Sequence, residues 1–324
     1  QAFLDATRLV IRYTDAGSNV SSVPQYSRNY HALIGESIQS LDSNNPDDIY
    51  LIAKHFFAAG SLFSAKAYES NLQAAKLACK FHQFEDSLDL LEKAKISASS
   101  SSNSVLDVDV QIAVVHCEKS HIYGKDQSEA ADFGLEILKE ASLLIFDELA
   151  IKVTRALYEA RRYDEAIEMA EKLKSAENLS TQTEGFHFHG LSISPQERDK
   201  SKERLSLLRQ AYDLASQSNI SSLEAMVANS LAGQLSGGND SDRVEAKELY
   251  FRSLELKENQ EIKDVKGIAM THGGLGFFSF FGKPQDLESA RFHFEKDLEL
   301  ATQINGEMGM SKMNSMLSQI DIIE

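Results

Sequence analysis

Hydrophobic positions in this chain recur as a small residue, a bulky apolar one and another small one, spaced three and four residues apart. Spacing of this kind places the apolar side chains on one face of a helix. The first residue of each copy gives a register mark, and six marks can be placed along the sequence: Ser87, Ala131, Ala166, Arg204, Ala246 and Ala290. Successive marks lie between 35 residues (166−131) and 44 residues (290−246) apart. A repeat near forty residues predicts an array of helical hairpins.

Each mark is predicted to lie on the second helix of a hairpin, and an apolar–small pair marks the first helix. The pairs at 231–232 and 275–276 both precede the next mark by 14 residues (246−232 and 290−276). Turn-forming residues fill the intervals at 236–240 and 282–286. Small residues are needed because antiparallel helices approach closely only where one of them lacks a bulky side chain. The Ser-rich stretch at 99–104 predicts a loop between hairpins.

Two hairpins carry the residues of a known repeat. Segment 163–170 begins with an aromatic residue, has Ala three positions later and a small residue four after that, which resembles the second helix of a tetratricopeptide repeat. The pair at 275–276, followed by Ala290 and Phe294, is similar to the same repeat. The resemblance implies an all-α, right-handed α-solenoid of tetratricopeptide-like helical hairpins over residues 71–324. Residues 1–70 fall outside the register and are predicted to cap the array or to end a preceding domain.

The sequence departs from the tetratricopeptide pattern at several positions, and its last hairpins resemble one subtype of the repeat. No Trp occurs, Arg204 stands where Ala is expected, and Asp297 stands where a small residue is expected. Residues 264–301 resemble the longer tetratricopeptide units of bacterial STAND-type signalling proteins. That resemblance implies a sensor array in a signalling or defence protein. Because the chain begins at Gln1 and not at Met, we expect a fragment or a processed piece of a longer protein.

Composition limits the class of partner. The formal net charge is −16, which disfavours nucleic acid because binding its phosphates needs clustered Lys and Arg. Just two cysteines, Cys79 and Cys117, are present, so a disulfide framework is not expected. Apolar runs fall short of the roughly 18 residues of a membrane helix. We therefore expect a cytoplasmic protein that binds neither nucleic acid nor membranes. The prolines lie where helices would start or loops would turn: Pro24, Pro46, Pro195 and Pro284.

The sequence lacks the common catalytic motifs. The Gly282–Lys283 step does not have phosphate-loop spacing, and residues 190–194 lack the closing Gly of a nucleophile elbow. His116 and His121 flank Cys117, but residues five apart on a helix do not converge on one metal ion. We expect no cofactor, no metal site and no catalytic residue. A helical metal-dependent hydrolase around His116 and His121 is the alternative from the enzyme class.

The first helices carry the candidate binding residues, because in tetratricopeptide arrays these helices face the concave surface. By register this groove receives a mixture of basic, polar and apolar side chains: Lys152, Arg155, Tyr158, Asn229, Ser230, Met270, Phe277 and Phe280. The alternative is that the two phenylalanines are core and the two cations a solvated face.

A groove with apolar and basic anchors indicates a non-catalytic array that binds a protein or peptide as sensor or scaffold. An intracellular peptide-pheromone receptor is an alternative, although residues 1–45 contain no basic recognition helix. A rigid subunit of a constitutive complex is another.

Overall fold

A computed structural model describes residues 25–41, 45–140, 147–194, 197–260, 263–304 and 306–323. Residues 1–24 and 42–44 lie outside this description, as does Pro195, which is predicted to lie at a helix start or a loop turn. Among the described residues every regular element is helical. The predicted boundary at residue 70 is not tested by the structure and stays a prediction. The packing of the helices divides the chain into two units, Gln1–His116 and Cys117–Glu324.

The first unit begins with four antiparallel helices: α1 Gln25–Gln39, α2 Pro46–Ala59, α3 Ser64–Lys80 and α4 Phe84–Ser99. Helix α5, Val105–Tyr123, contains the boundary between the units. The described ranges of the second unit continue with ten helices: α6 Gln127–Glu140, α7 Asp147–Glu159, α8 Tyr163–Lys174, α9 Leu179–Ser192, α10 Ser201–Ser218, α11 Ser221–Leu235, α12 Asp240–Glu258, α13 Val265–Phe280, α14 Leu287–Gln303 and α15 Glu307–Ile323. Short 3₁₀ turns at Ser61–Phe63 and Arg198–Lys200 precede α3 and α10.

The register marks fall on the second helices, as predicted: Ser87 on α4, Ala131 on α6, Ala166 on α8, Arg204 on α10, Ala246 on α12 and Ala290 on α14. All but Arg204 are fully buried. The predicted turns are also confirmed. The loop at 99–104 separates α4 from α5, the turn at 236–240 joins α11 to α12, and the turn at 282–286 joins α13 to α14.

Close approach of paired helices explains the small residues. A Cβ on Gly276 would lie 2.5 Å from the Phe294 ring, so this first helix can meet α14 only without a side chain there. On the preceding hairpin the Ser253 hydroxyl donates to the Ala225 carbonyl over 2.7 Å, across the α11–α12 contact. In both hairpins the backbones of the two helices therefore approach closely. In the α13–α14 hairpin the Phe294 ring fills the space beside the contact.

Successive first helices of the second unit also touch each other. Beyond the contacts between neighbours in sequence, α7 packs on α9, α9 on α11, and α11 on α13. The buried cluster that joins three hairpins includes Leu208, Leu231 and Leu275. A continuous layer of first helices results, and this is the solenoid arrangement predicted from the repeat. No helix in the described ranges is both long and apolar enough to cross a membrane.

Candidate functional site

The layer of first helices in the second unit encloses a cavity of about 490 Å³, here called the first cavity. Its walls come from α7, α9, α11 and α13, with the end of α5 and of α12. Six predicted groove residues line it: Lys152, Arg155, Tyr158, Asn229, Ser230 and Met270. They meet because the same face of each first helix points into the layer. Whether they bind a ligand stays a prediction.

A buried ion cluster supports one wall of the first cavity, where Lys152 and Arg155 line the space and Glu118 lies behind them. Glu118 pairs with the Lys152 ammonium, and Arg155 Nη1 lies 4.0 Å from Glu118 Oε2. Burial raises the pKa of Glu118, but the two cations outweigh that effect and hold it at about 2. Burial likewise lowers the pKa of Arg155, yet Glu118, Glu184 and Glu159 raise it overall. Both cations are thus already neutralised by the protein's own carboxylates.

Two further lysines line the first cavity and are also engaged. Lys257 is 4% exposed and donates to the Gly267 carbonyl over 3.0 Å and to Thr271 Oγ1 over 2.8 Å. Its burial lowers the pKa to about 8, against the opposing charge of Asp264. Lys266 donates to the His121 carbonyl. The cavity's cations therefore have protein partners.

Several other polar atoms in the wall of this cavity, unlike its cations, have no hydrogen-bond partner among the described residues. Four lining side chains each keep a buried polar atom without a hydrogen-bond partner in the described part of the chain: Glu159 Oε2, Glu184 Oε2, His187 Nδ1 and Asn229 Oδ1. His187 is neutral, because burial lowers its pKa to about 3 with help from Arg155. Its Nε2 lies 2.8 Å from Ser230 Oγ, whose own hydrogen goes to the Met226 carbonyl. Nε2 is then the donor, and Nδ1 is left as a bare acceptor.

Aromatic rings close one side of the cavity. Tyr158 and Phe188 are 6.1 Å apart between ring centroids, and the Arg155 guanidinium lies 5.9 Å from the Phe188 centroid. Burial raises the pKa of the Tyr158 hydroxyl, with smaller contributions from Tyr163 and Glu159. Arg155 is thus fixed by an aromatic face as well as by carboxylates, which gives the cavity a rigid wall.

A second cavity of about 380 Å³ lies between α13, α14 and α15, beside the end of α5. Phe277 lines it, and Met270 and Lys266 line both cavities. Two of the predicted groove residues thus belong to this second cavity, and the groove predicted as one surface is divided into two spaces.

Phe280 does not line either cavity. It is 7% exposed and packs in the core between α13, α14 and α15, with Phe294 and Met313. Its predicted place in the groove is corrected by this packing, and the alternative of a core residue describes it. The four aromatics at 277, 278, 280 and 281 point in different directions, and the sequence does not reveal which of them α15 covers.

The histidines of the predicted metal alternative do not gather ligands. His121 Nδ1 lies 2.6 Å from Glu159 Oε1, and burial lowers its pKa against the effect of that carboxylate. Across the described ranges no three His, Cys, Asp or Glu side chains come together as metal ligands would. His121 instead orients Glu159 at the rim of the first cavity.

Three residues that shape the cavities are not predicted as site residues by the sequence. Glu118 lies on α5, a first helix for which no groove residue was predicted, and Lys257 lies on a second helix. Asp297 departs from the repeat, because a carboxylate stands where a small residue is expected. That departure is the one sequence signal for the second cavity.

Comparison with known proteins supports the fold. The sequence matches no protein-family model and no curated protein. It is similar in structure to a Rap protein complexed with Competence and Sporulation Factor, with a TM-score of 0.52 and 12% identity over 98% of both chains. A P58(IPK) TPR domain aligns with a TM-score of 0.26 and 15% identity over 98% of this chain and 99% of that one. The first likeness shows the fold alone, an α-solenoid of tetratricopeptide-like hairpins.

Proposed function

We propose that the chain is a non-catalytic receptor that holds an extended peptide or protein segment in the first cavity. The observation that carries this proposal is the convergence of six register-predicted side chains on one cavity of about 490 Å³. Pockets that bind ligands have volumes of about 300–1,000 Å³. First helices of four successive hairpins contribute to it, which suits an elongated ligand.

The hydrogen-bonding state of the cavity indicates the chemistry of that ligand. Lys152 and Arg155 are paired with Glu118, and Lys257 and Lys266 are bound to backbone carbonyls. Unused capacity lies with buried acceptors of the cavity wall, among them His187 Nδ1 and Asn229 Oδ1. A buried acceptor without a donor costs about 1–3 kcal/mol, so a ligand rich in N–H groups gains by supplying one. An extended main chain presents such donors.

The wider role follows as part of the same proposal. A receptor of this kind acts as a sensor or scaffold, and a bacterial signalling or defence protein is the setting that the sequence resemblance suggests. The Rap protein is complexed with Competence and Sporulation Factor, which favours the alternative of an intracellular peptide-pheromone receptor. Elemental analysis distinguishes the hydrolase alternative, because stoichiometric zinc or iron in the purified chain would overturn a non-catalytic role.

The test uses a random heptapeptide library displayed on phage and selected against the purified full chain. Enriched peptides are synthesised, and their Kd is measured by isothermal titration calorimetry. Ser222 lines the first cavity and is exposed, so Ser222→Trp fills the entrance with little cost to folding. We expect this substitution to weaken binding at least about tenfold, which corresponds to about 1.4 kcal/mol.

Ser221→Trp provides the matched control. Ser221 is the preceding residue, is also exposed and does not line the cavity. Its variant is expected to bind the peptides as the wild type does. Equal affinity of all three proteins, or a library that yields no enriched peptide, would count against the first cavity as the binding site.

A further inference from the structure

The second cavity is built differently from the first. Its floor is made of residues without side chains or with short ones, including Gly273, Gly274 and Ala301. Its walls are mostly apolar, as at Phe277 and Met313, with two lysines among them, Lys266 and Lys312. Gly273 is required there, because a Cβ at that position would lie 2.4 Å from Asp297 Oδ2. The carboxylate of Asp297 therefore occupies the space that a side chain on α13 would take.

Asp297 is the one carboxylate among the residues that line this cavity, and Lys266 and Lys312 line it too. It is 7% exposed, and it forms neither a hydrogen bond nor an ion pair with any described residue. Burial raises its pKa to about 7, against the opposing charge of Lys312. A buried carboxylate without a partner is costly, and proteins usually pair such groups. A cation brought by a ligand would relieve that cost.

The two lysines that line the second cavity have other partners, and neither forms an ion pair with Asp297. Lys312 Nζ lies 4.4 Å from the centroid of the Phe277 ring, in a cation–π contact. Lys266 donates to the His121 carbonyl, on the side of the first cavity. The cavity thus combines an apolar volume of about 380 Å³ with a carboxylate that the described part of the protein leaves unpaired. That combination selects a positive group on an apolar stem.

We infer that the second cavity binds a primary ammonium group carried on an aliphatic or aromatic stem, with Asp297 as its counter-ion. The ammonium donates to the Asp297 carboxylate, and the stem fills the volume beside Phe277 and Met313. This site does not depend on peptide binding in the first cavity, because Asp297 belongs to the second cavity alone.

The experiment compares three probes of one shape: 2-phenylethylammonium, the neutral 2-phenylethanol and the anionic phenylacetate. Calorimetry on the full chain is expected to give the ammonium at least about tenfold tighter binding than either control, since a hydrogen bond to a charged group contributes about 1.5–3 kcal/mol. Asp297→Asn keeps the size of the side chain and removes its charge, so this preference should disappear. Circular dichroism and the melting temperature confirm that the variant is folded.

A second variant gives an effect of opposite sign. Lys312→Met removes the nearest competing cation from an exposed position, so the ammonium should bind more tightly than to the wild type. If the site instead takes anions, phenylacetate will bind best, Lys312→Met will weaken it, and the inference fails. It also fails if the ammonium does not bind, or if Asp297→Asn keeps the preference.

Discussion

Helix α13 lines both cavities of the second unit, yet the two cavities treat buried charge differently. In the first cavity Glu118, Lys152 and Arg155 balance one another within the protein. In the second cavity Asp297 forms no ion pair among the described residues, although two lysines line the same cavity. The comparison shows that one repeat scaffold can pair its buried charges in one cavity and leave a buried carboxylate without an ion pair in the next. Removing charge should therefore harm one cavity and relieve the other.

The largest effect is expected for Arg155→Ala. The Arg155 side chain is 15% exposed and faces Glu118, Glu184 and Glu159, so its loss leaves Glu118 with Lys152 alone and removes a cation from Glu184. Breaking a buried pair in this way costs about 3–5 kcal/mol. Urea denaturation followed by circular dichroism measures the loss of unfolding free energy.

Lys172→Ala is the control for that substitution. Lys172 pairs with Glu168 over 2.9 Å on α8, but both side chains are largely in solvent. Such surface pairs contribute about 0.2–1 kcal/mol. Losses of similar size in the two variants would show that the first cavity is not an ionic network on which folding depends.

Asp297→Asn should act in the opposite direction and depend on pH. The pKa of Asp297 is about 7 in the folded protein, well above the 3.8 of an aspartate in water. The wild type therefore loses stability as the pH rises between these two values, because the unfolded chain releases its proton first. The asparagine variant lacks this loss. We expect its advantage to grow from near zero at about pH 4 to about 2–4 kcal/mol at about pH 8.

Denaturation at several pH values in this range measures the difference between the two proteins. His272 and His293 lie nearby in the α13–α14 hairpin, and burial lowers the pKa of both. These histidines are present in both proteins, so their contribution cancels in the difference. A stability difference that stays constant with pH would mean that Asp297 does not titrate as a buried, unpaired acid.

A smaller effect tests the glycine floor of the second cavity. A Cβ on Gly274 would lie 2.5 Å from the Tyr250 ring, whereas a Cβ on Gly233 would lie 3.6 Å from the hydroxyl of the same tyrosine. Overpacking costs about 1–3 kcal/mol, and Ala in place of helical Gly gains about 1 kcal/mol. Gly274→Ala should therefore destabilise the protein by up to about 2 kcal/mol, and Gly233→Ala should stabilise it by up to about 1 kcal/mol.

Thermal melting of both variants measures this pair. The two substitutions are chemically identical and share one neighbour, so their opposite signs would isolate the effect of the close approach. A melting temperature that rises in both would show that α13 has room to move away from α12, and that the glycine floor is not fixed by packing.

The hairpins could be predicted from the sequence because small residues are needed wherever two helices touch, and these positions recur at regular spacing. Ala290 and Gly276 were assigned to opposing helices, and the structure places them there. Six candidate groove residues line one cavity for a related reason: their position in the repeat decides which face of the first helix they occupy. Phe280 was misplaced because its environment depends on α15, which lies outside the repeat pattern. Glu118 and Asp297 act through tertiary neighbours that no local spacing encodes.

The contact between Lys266 and His121 joins helices α13 and α5 across 145 residues of chain. In a simple repeat array each hairpin touches just its neighbours, so the ends fray and the array can unravel one hairpin at a time. Here α5 and α13 are joined directly, although three first helices lie between them in the chain. Opening any of the hairpins between them would strain this contact, so they should open together more readily than in a simple array. Folding of the second unit must then wait for a long loop to close, which slows the search for the native state.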